Sequence, residues 1–195
     1  MSKLRGVLNN MVWLNEPSDW SLQDGVLSAS TELNTDFWRE TFYGWTTDNG
    51  HFFYRPTTGD FTAEVIVSAA HTTRFDQAGM MVRADERNWL KTGVEVTSGT
   101  VQISTVFTRQ FSDVSMAPVG GDAGEVSLRV TRFGAAMAVH CRTDDGPWQL
   151  LRLGHLDLSA TVDVGVMCCS PERAGLQATF RDFRIGPPMS RENLE

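Results

Sequence analysis

The sequence predicts one antiparallel β-sandwich, and three observations carry that prediction. Turn signals punctuate the chain at Asp24-Gly25, Asp48-Asn49-Gly50, Thr58-Gly59-Asp60, Ser98-Gly99, Gly120-Gly121-Asp122 and Asp144-Asp145-Gly146-Pro147. Between them apolar residues alternate with period two, the pattern of strands with one buried face. Long helical periodicity is absent. The 195 residues fit one domain spanning 1–195, because all-β folds run to roughly 200–250 residues as single units. A chain of this size buries roughly 70% of its unfolded surface, so a core forms without a disulfide or metal staple.

The opening MSKLRGVLNN is positively charged but lacks the apolar run of a secretory signal, and nowhere do eighteen apolar residues follow one another. The expectation is a cytoplasmic protein that does not enter a membrane. The first ten residues and the tail 188–195 read as loosely held, with Leu194-Glu195 as a cloning scar and the sandwich core at about 5–187. A balance of 17 basic against 24 acidic residues gives a net charge of −7. That charge disfavours phosphate backbones, so nucleic acid is excluded as a partner.

The stretch Thr35 to Tyr43 is the one helix-tolerant segment, but it is short. It overlaps Phe37-Trp38-Arg39-Glu40-Thr41-Phe42-Tyr43-Gly44-Trp45, which holds more aromatics than a core needs. A rim strand or loop packed on the core is the expectation, with part of it at a groove edge or a protein interface.

The most legible elements are three successive strands. Over 77–84, Ala78, Met80, Val82 and Ala84 form one face, and Gln77, Gly79, Met81 and Arg83 the other. Over 89–96, Leu90, Thr92, Val94 and Val96 oppose Trp89, Lys91, Gly93 and Glu95; over 101–108, Val101, Ile103, Thr105 and Phe107 oppose Gln102, Ser104, Val106 and Thr108. If 85–88 and 97–100 are tight hairpins, the register sets Arg83 by Trp89, Gly79 by Gly93 and Gln77 by Glu95. Glu95 then also meets Gln102, Ser104 meets Gly93, and Thr108 meets Trp89. The result is a polar face with a glycine floor and walls of aromatic and charged residues.

Near the C-terminus, Cys168 and Cys169 are adjacent and point to opposite faces of an extended strand. With Cys141 they make an odd count, which fits free thiols in a reducing compartment and core packing for at least one of them.

At several of these residues the chain resembles a known family. Thr35-Asp36-Phe37-Trp38-Arg39, Gly59-Asp60-Phe61, Asp76-Gln77-Ala78-Gly79-Met80, Trp89-Leu90-Lys91-Thr92-Gly93-Val94-Glu95 and Phe180-Arg181-Asp182-Phe183 look like the domain-of-unknown-function family numbered 1349. The resemblance covers about 5–187. It implies a jelly-roll sandwich of two curved sheets, of the concanavalin A-like lectin/glucanase type, and similarity to a fungal protein described as a regulator of enolase. Members usually carry Ser-Asp-Trp-Ser where this chain has Ser112-Asp113-Val114-Ser115.

The candidate ligand site is therefore Gln77, Arg83, Trp89, Lys91, Glu95, Gln102, Ser104 and Thr108, with Asp113 beside them. Aromatic faces stack on the apolar faces of a sugar ring while amides and charges read its hydroxyls. Lys91 and Glu95 lie about 13 Å apart along one strand at ~3.3 Å per residue, so each needs a cross-strand partner or a ligand. The plainer alternative is a solvated face on which neighbouring amides hold Glu95 and Arg83 stacks on Trp89.

Catalysis finds less support. Glycosidases need two carboxylates about 5–5.5 Å or about 6.5–9.5 Å apart, and this face offers Glu95 alone. Asp113 or Glu64 supplies a second only by tertiary arrangement, and no Glu-x-Asp-x-x-Glu run occurs. His51, His71, His140 and His155 are scattered without ligand spacing, so no metal or other cofactor is expected. Asp144-Asp145-Gly146 reads as a turn before Trp148, not a calcium loop. The expected function is a non-catalytic module that binds a carbohydrate or sugar-derived metabolite. The alternatives are a protein-interaction or regulatory role in carbon metabolism, and a sugar-acting hydrolase or isomerase using Glu95.

Overall fold

The computed structural model describes residues 8–119 and 124–193. The Gly120-Gly121-Asp122 turn, most of the opening segment and the terminal Leu194-Glu195 lie outside the described residues. Sixteen strands follow in order. The first five are β1 (Val12–Leu14), β2 (Asp19–Gln23), β3 (Val26–Ser30), β4 (Phe37–Arg39) and β5 (Thr46–Asp48). Next come β6 (His51–Thr58), β7 (Phe61–Ala69), β8 (Gln77–Asp85), β9 (Asn88–Thr97), β10 (Thr100–Arg109) and β11 (Phe111–Pro118). The last five are β12 (Val126–Phe133), β13 (Ala136–Thr143), β14 (Gln149–His155), β15 (Thr161–Cys169) and β16 (Gln177–Gly186). Short 3₁₀ turns at Leu8–Asn10 and Arg191–Asn193 are the only helical elements among the described residues, and no helix there is long and apolar enough to cross a membrane.

Two seven-stranded antiparallel sheets face each other. The front sheet runs β1-β6-β15-β8-β9-β10-β11 and the back sheet β14-β13-β12-β7-β16-β3-β2, while β4 and β5 pair only with each other. The three strands read most clearly from the sequence pair in the expected register: Gln77 opposite Glu95, Gly79 opposite Gly93, and Arg83 opposite Trp89. On the other side of β9, Glu95 meets Gln102, Gly93 meets Ser104 and Trp89 meets Thr108. The second of the two hairpins closes through Ser98 and Gly99, both at positive φ, as a two-residue primed turn requires.

Strand alternation divides the apolar residues of the front sheet into two cores. Phe53, Met80, Val82, Leu90, Phe107, Val166 and Cys168 point toward the back sheet and pack with Val65, Leu128, Val130 and Phe180. Their neighbours Phe52, Met81, Trp89, Val106, Met167 and Cys169 point away from it and form a second cluster with Phe37 and Trp38. The helix-tolerant segment is thus a β hairpin, β4–β5, laid across the outer face of the front sheet. Its Phe37 ring meets Trp89 edge-on at 6.3 Å. The three cysteines are buried free thiols, with Cys168 and Cys169 in opposite cores.

A cavity between the hairpin and the front sheet

The outer face of the front sheet is half roofed by the β4–β5 hairpin, and the polar side chains of that face divide accordingly. Under the hairpin they serve as anchors. Arg83 donates from both terminal nitrogens to the two carboxylate oxygens of Asp48, each at 2.7 Å. Ser112 accepts the backbone N–H of Arg39 at 2.9 Å and shares a hydrogen bond of 2.9 Å with Thr108. Trp89 is wholly buried, its indole N–H donated to the Glu86 carbonyl at 3.3 Å.

Beyond the hairpin edge the face opens into a cavity of about 250 Å³. Its polar lining includes Asp36, Gln77, Lys91 and Glu95. Lys91 is buried, and its ammonium donates to Asp36 Oδ1 at 2.9 Å and to Gln77 Oε1 at 2.8 Å. Gln77 Nε2 and the Phe37 N–H also donate to Asp36 Oδ1, at 3.3 and 2.8 Å. Glu95, only 5% exposed, lies beside the Ser104 hydroxyl and makes no contact ion pair among the described residues. The hairpin and the loop before β8 supply an aromatic wall. Tyr43 stacks on Trp45 at 4.7 Å and meets Trp38 and Phe75 edge-on. Val106, Val114 and Met116 close the side formed by β10 and β11.

The electrostatics follow from burial and this pairing. Burial alone would lower the Lys91 pKa, but the negative charge of Asp36 raises it above the ordinary lysine value. Lys91 is therefore a fixed ammonium and not an amine nucleophile, which requires a depressed pKa. Burial pushes the Glu95 carboxyl up, with Lys91 and Ser104 pulling against it and Asp36 adding to it. The cysteines are inert as nucleophiles: burial pushes Cys168 up to about 12 and Cys169 well above its usual value. His51 is held between the Asn15 carbonyl and the Glu32 N–H, a structural role for a buried ring. No group of three potential metal ligands occurs among the described residues.

Of the nine residues singled out from the sequence, Gln77, Lys91 and Glu95 line the cavity and Ser104 supports Glu95 from below. Arg83, Trp89 and Thr108 do not reach it, because the hairpin covers them and uses them for attachment. Arg83 pairs with Asp48 instead of stacking on Trp89. Gln102 lies opposite Glu95 but turns its amide to the Thr100 hydroxyl at 3.2 Å. Asp113 falls on the other side of its strand and pairs with Arg152 at 3.1 Å. Glu64, the other carboxylate considered for catalysis, sits on the back sheet between Arg129 and Arg184. The carboxylate that joins Glu95 is Asp36, which periodicity does not reveal. Its one signal in the sequence is the family-like run Thr35-Asp36-Phe37-Trp38-Arg39.

These features define a concanavalin-type β-sandwich whose outer sheet face carries a hairpin-walled cavity with a buried charge network. Residues 13–188 match the family described as "Protein of unknown function (DUF1349)", and the chain belongs to that family. It is 40% identical over 184 residues to "Regulation of enolase protein 1" of Saccharomyces cerevisiae, covering 94% of this chain and 93% of that one. A crystal structure described as a functionally unknown protein from Saccharomyces cerevisiae superposes with a TM-score of 0.91 at 40% identity, over 94% of this chain and 99% of that one. The carbohydrate-binding module CBM66 from Bacillus subtilis shares the fold at a TM-score of 0.58 and 15% identity, over 90% of this chain and 96% of that one.

Proposed function

We propose that this protein is a non-catalytic binding module whose cavity takes a small polar ligand with one apolar face, a sugar or sugar-derived metabolite being the chemistry that fits. The observation that carries this reading is the joining, in one cavity, of a buried polar floor of Asp36, Gln77, Lys91 and Glu95 with a wall of Trp38, Tyr43 and Trp45. Aromatic faces stack on a ring while fixed polar groups select its substituents. A volume of about 250 Å³ is below the roughly 300–1,000 Å³ typical of drug-sized ligands, which favours a single ring. The name of the Bacillus subtilis module agrees with this chemistry.

The test is thermal unfolding against sugars, sugar phosphates and glycolytic intermediates. A ligand at 100 times its dissociation constant raises stability by ~2.7 kcal/mol. A shift that disappears in Lys91→Met supports the reading, and no shift up to millimolar concentrations ends it for that panel.

A second reading rests on the exposed apolar residues near the mouth. Phe42 is 94% exposed at the hairpin tip, and Trp45, Phe111 and Met116 are also exposed. Large apolar side chains left in water are characteristic of protein-interaction surfaces, and the name of the yeast relative suggests a regulatory partner in carbon metabolism. Loss of partner binding in Phe42→Ser, with ligand-induced shifts unchanged, would separate this role from the cavity.

A further inference from the structure

We infer that the ligand of this cavity carries a cationic nitrogen, as an amino-substituted ring or a small organic ammonium, and is neither phosphorylated nor acidic. The inference rests on the reading of the cavity as a small-ligand site and adds the charge class of what it takes. It follows from a charge count. The charged residues lining the cavity are Asp36, Lys91 and Glu95. Lys91 is committed to Asp36 and Gln77, so its charge is cancelled within the floor. Glu95 makes no contact ion pair and feels Lys91 only at longer range, so one cation serves two carboxylates, and Asp36 Oδ2 has no protein donor among the described residues.

A buried carboxylate without a cation is costly, and a ligand ammonium supplies what the protein omits. The wall suits the same guest, because Trp and Tyr faces attract ammonium groups through their ring quadrupoles. Arg74 lies over Phe75 at 4.3 Å without lining the cavity, so this aromatic group already engages one cation from elsewhere. A phosphate would instead meet two carboxylates, with no arginine and no second lysine in the lining to receive it. The raised Glu95 pKa, caused first by burial and opposed by Lys91, agrees with a carboxylate that the cavity's one cation compensates only in part.

The experiment is calorimetric titration of the whole chain at neutral pH with glucosamine, glucose, N-acetylglucosamine, glucose 6-phosphate and choline. Binding of glucosamine or choline about tenfold tighter than that of the neutral sugars is expected, from ordinary cation–π and ion-pair strengths. Glu95→Gln should remove that preference. Trp45→Ala, which deletes a half-exposed ring and leaves the buried core intact, should weaken the cationic probes while the melting temperature stays near that of the parent. Glucose binding as tightly as glucosamine would overturn the inference and leave the small-ligand reading standing. So would preferential binding of the phosphate, or an unchanged cation preference in Glu95→Gln. Choline binding with no sugar binding would sustain the inference and remove the sugar ring from the proposed function. No binding by any probe would overturn both.

Discussion

The Lys91 ammonium lies 2.9 Å from Asp36 Oδ1, joining the floor of the front sheet to the segment that leads into the hairpin, 55 residues earlier in the chain. The side chains are 3% and 17% exposed. In so dry a setting neither charge is tolerated without the other. Removing one partner of a buried pair typically costs about 3–5 kcal/mol, whereas replacing both with groups of similar shape is often neutral. Asp36→Ala and Lys91→Met are each expected to destabilise by about 3 kcal/mol, and the double variant by much less than the sum. Denaturant unfolding of the four proteins measures the coupling, and additive losses would show that the pair does not act as a unit.

A second buried carboxylate anchors the loops at the start of β8, next to Gln77. Asp76 is fully buried and accepts hydrogen bonds from Arg173, from the Thr72 and Thr73 N–H groups and from the Ser170 hydroxyl. Burial would raise its pKa, but these donors, Arg173 foremost, hold it below the ordinary aspartate value. A carboxyl depressed in the folded state gives stability that is present above its unfolded pKa and lost as pH falls toward the folded one. Asp76→Asn should therefore unfold more easily by about 3 kcal/mol at neutral pH, with the gap to the parent narrowing below the unfolded aspartate pKa of about 3.9. Melting curves across that range check the sign; a constant gap would contradict it.

Glu95 should behave in the opposite sense. Its pKa is raised, first by burial, so the folded state holds its proton more tightly than the unfolded chain. Its contribution is complete below the unfolded pKa and declines as pH rises through the folded value. Glu95→Gln keeps the shape and removes the titration. Relative to the parent, the variant should gain stability from acidic to neutral pH. Paired thermal melts at acidic and neutral pH measure the slope, and a gain that shrinks with rising pH would refute the assignment.

The fold and part of the site were legible in the sequence for a definite reason. Strand alternation and tight turns are local, so the register of β8, β9 and β10, including Gln77 beside Glu95 and Gly79 beside Gly93, follows from spacing alone. What spacing does not carry is the contact between strands and a distant hairpin. Spacing predicts the polar face but not its cover: in the folded chain Phe37 covers Trp89, Asp48 takes Arg83 and the Arg39 backbone N–H donates to Ser112. Asp36 does not stand out in the spacing because its partners are Gln77 and Lys91, 41 and 55 residues away. The aromatic density of 37–45 predicts a rim segment packed on the core with part of it at a groove edge or a protein interface, and Trp38, Tyr43 and Trp45 stand there as the cavity wall.

The glycine floor gives the last prediction. Gly79 and Gly93 face each other across β8 and β9. A Cβ on Gly79 would lie 2.0 Å from the Thr92 carbonyl oxygen, and one on Gly93 2.3 Å from that of Ala78. The obstacles are backbone atoms of the neighbouring strand, which cannot rotate away as a side chain would, so the sheet itself must part. Overpacking typically costs about 1–3 kcal/mol, and a displaced central ladder belongs at the upper end. Gly93→Ala should therefore destabilise by about 3 kcal/mol and, by spreading β8 from β9, disturb the spacing of Gln77, Lys91 and Glu95. Gly186→Ala is the control, since nothing lies within 4 Å of its added carbon, and it should stay within about 0.5 kcal/mol of the parent. Chemical denaturation of the two variants compares them directly. Equal stabilities would mean that the close approach of β8 and β9 is not what requires glycine at these positions.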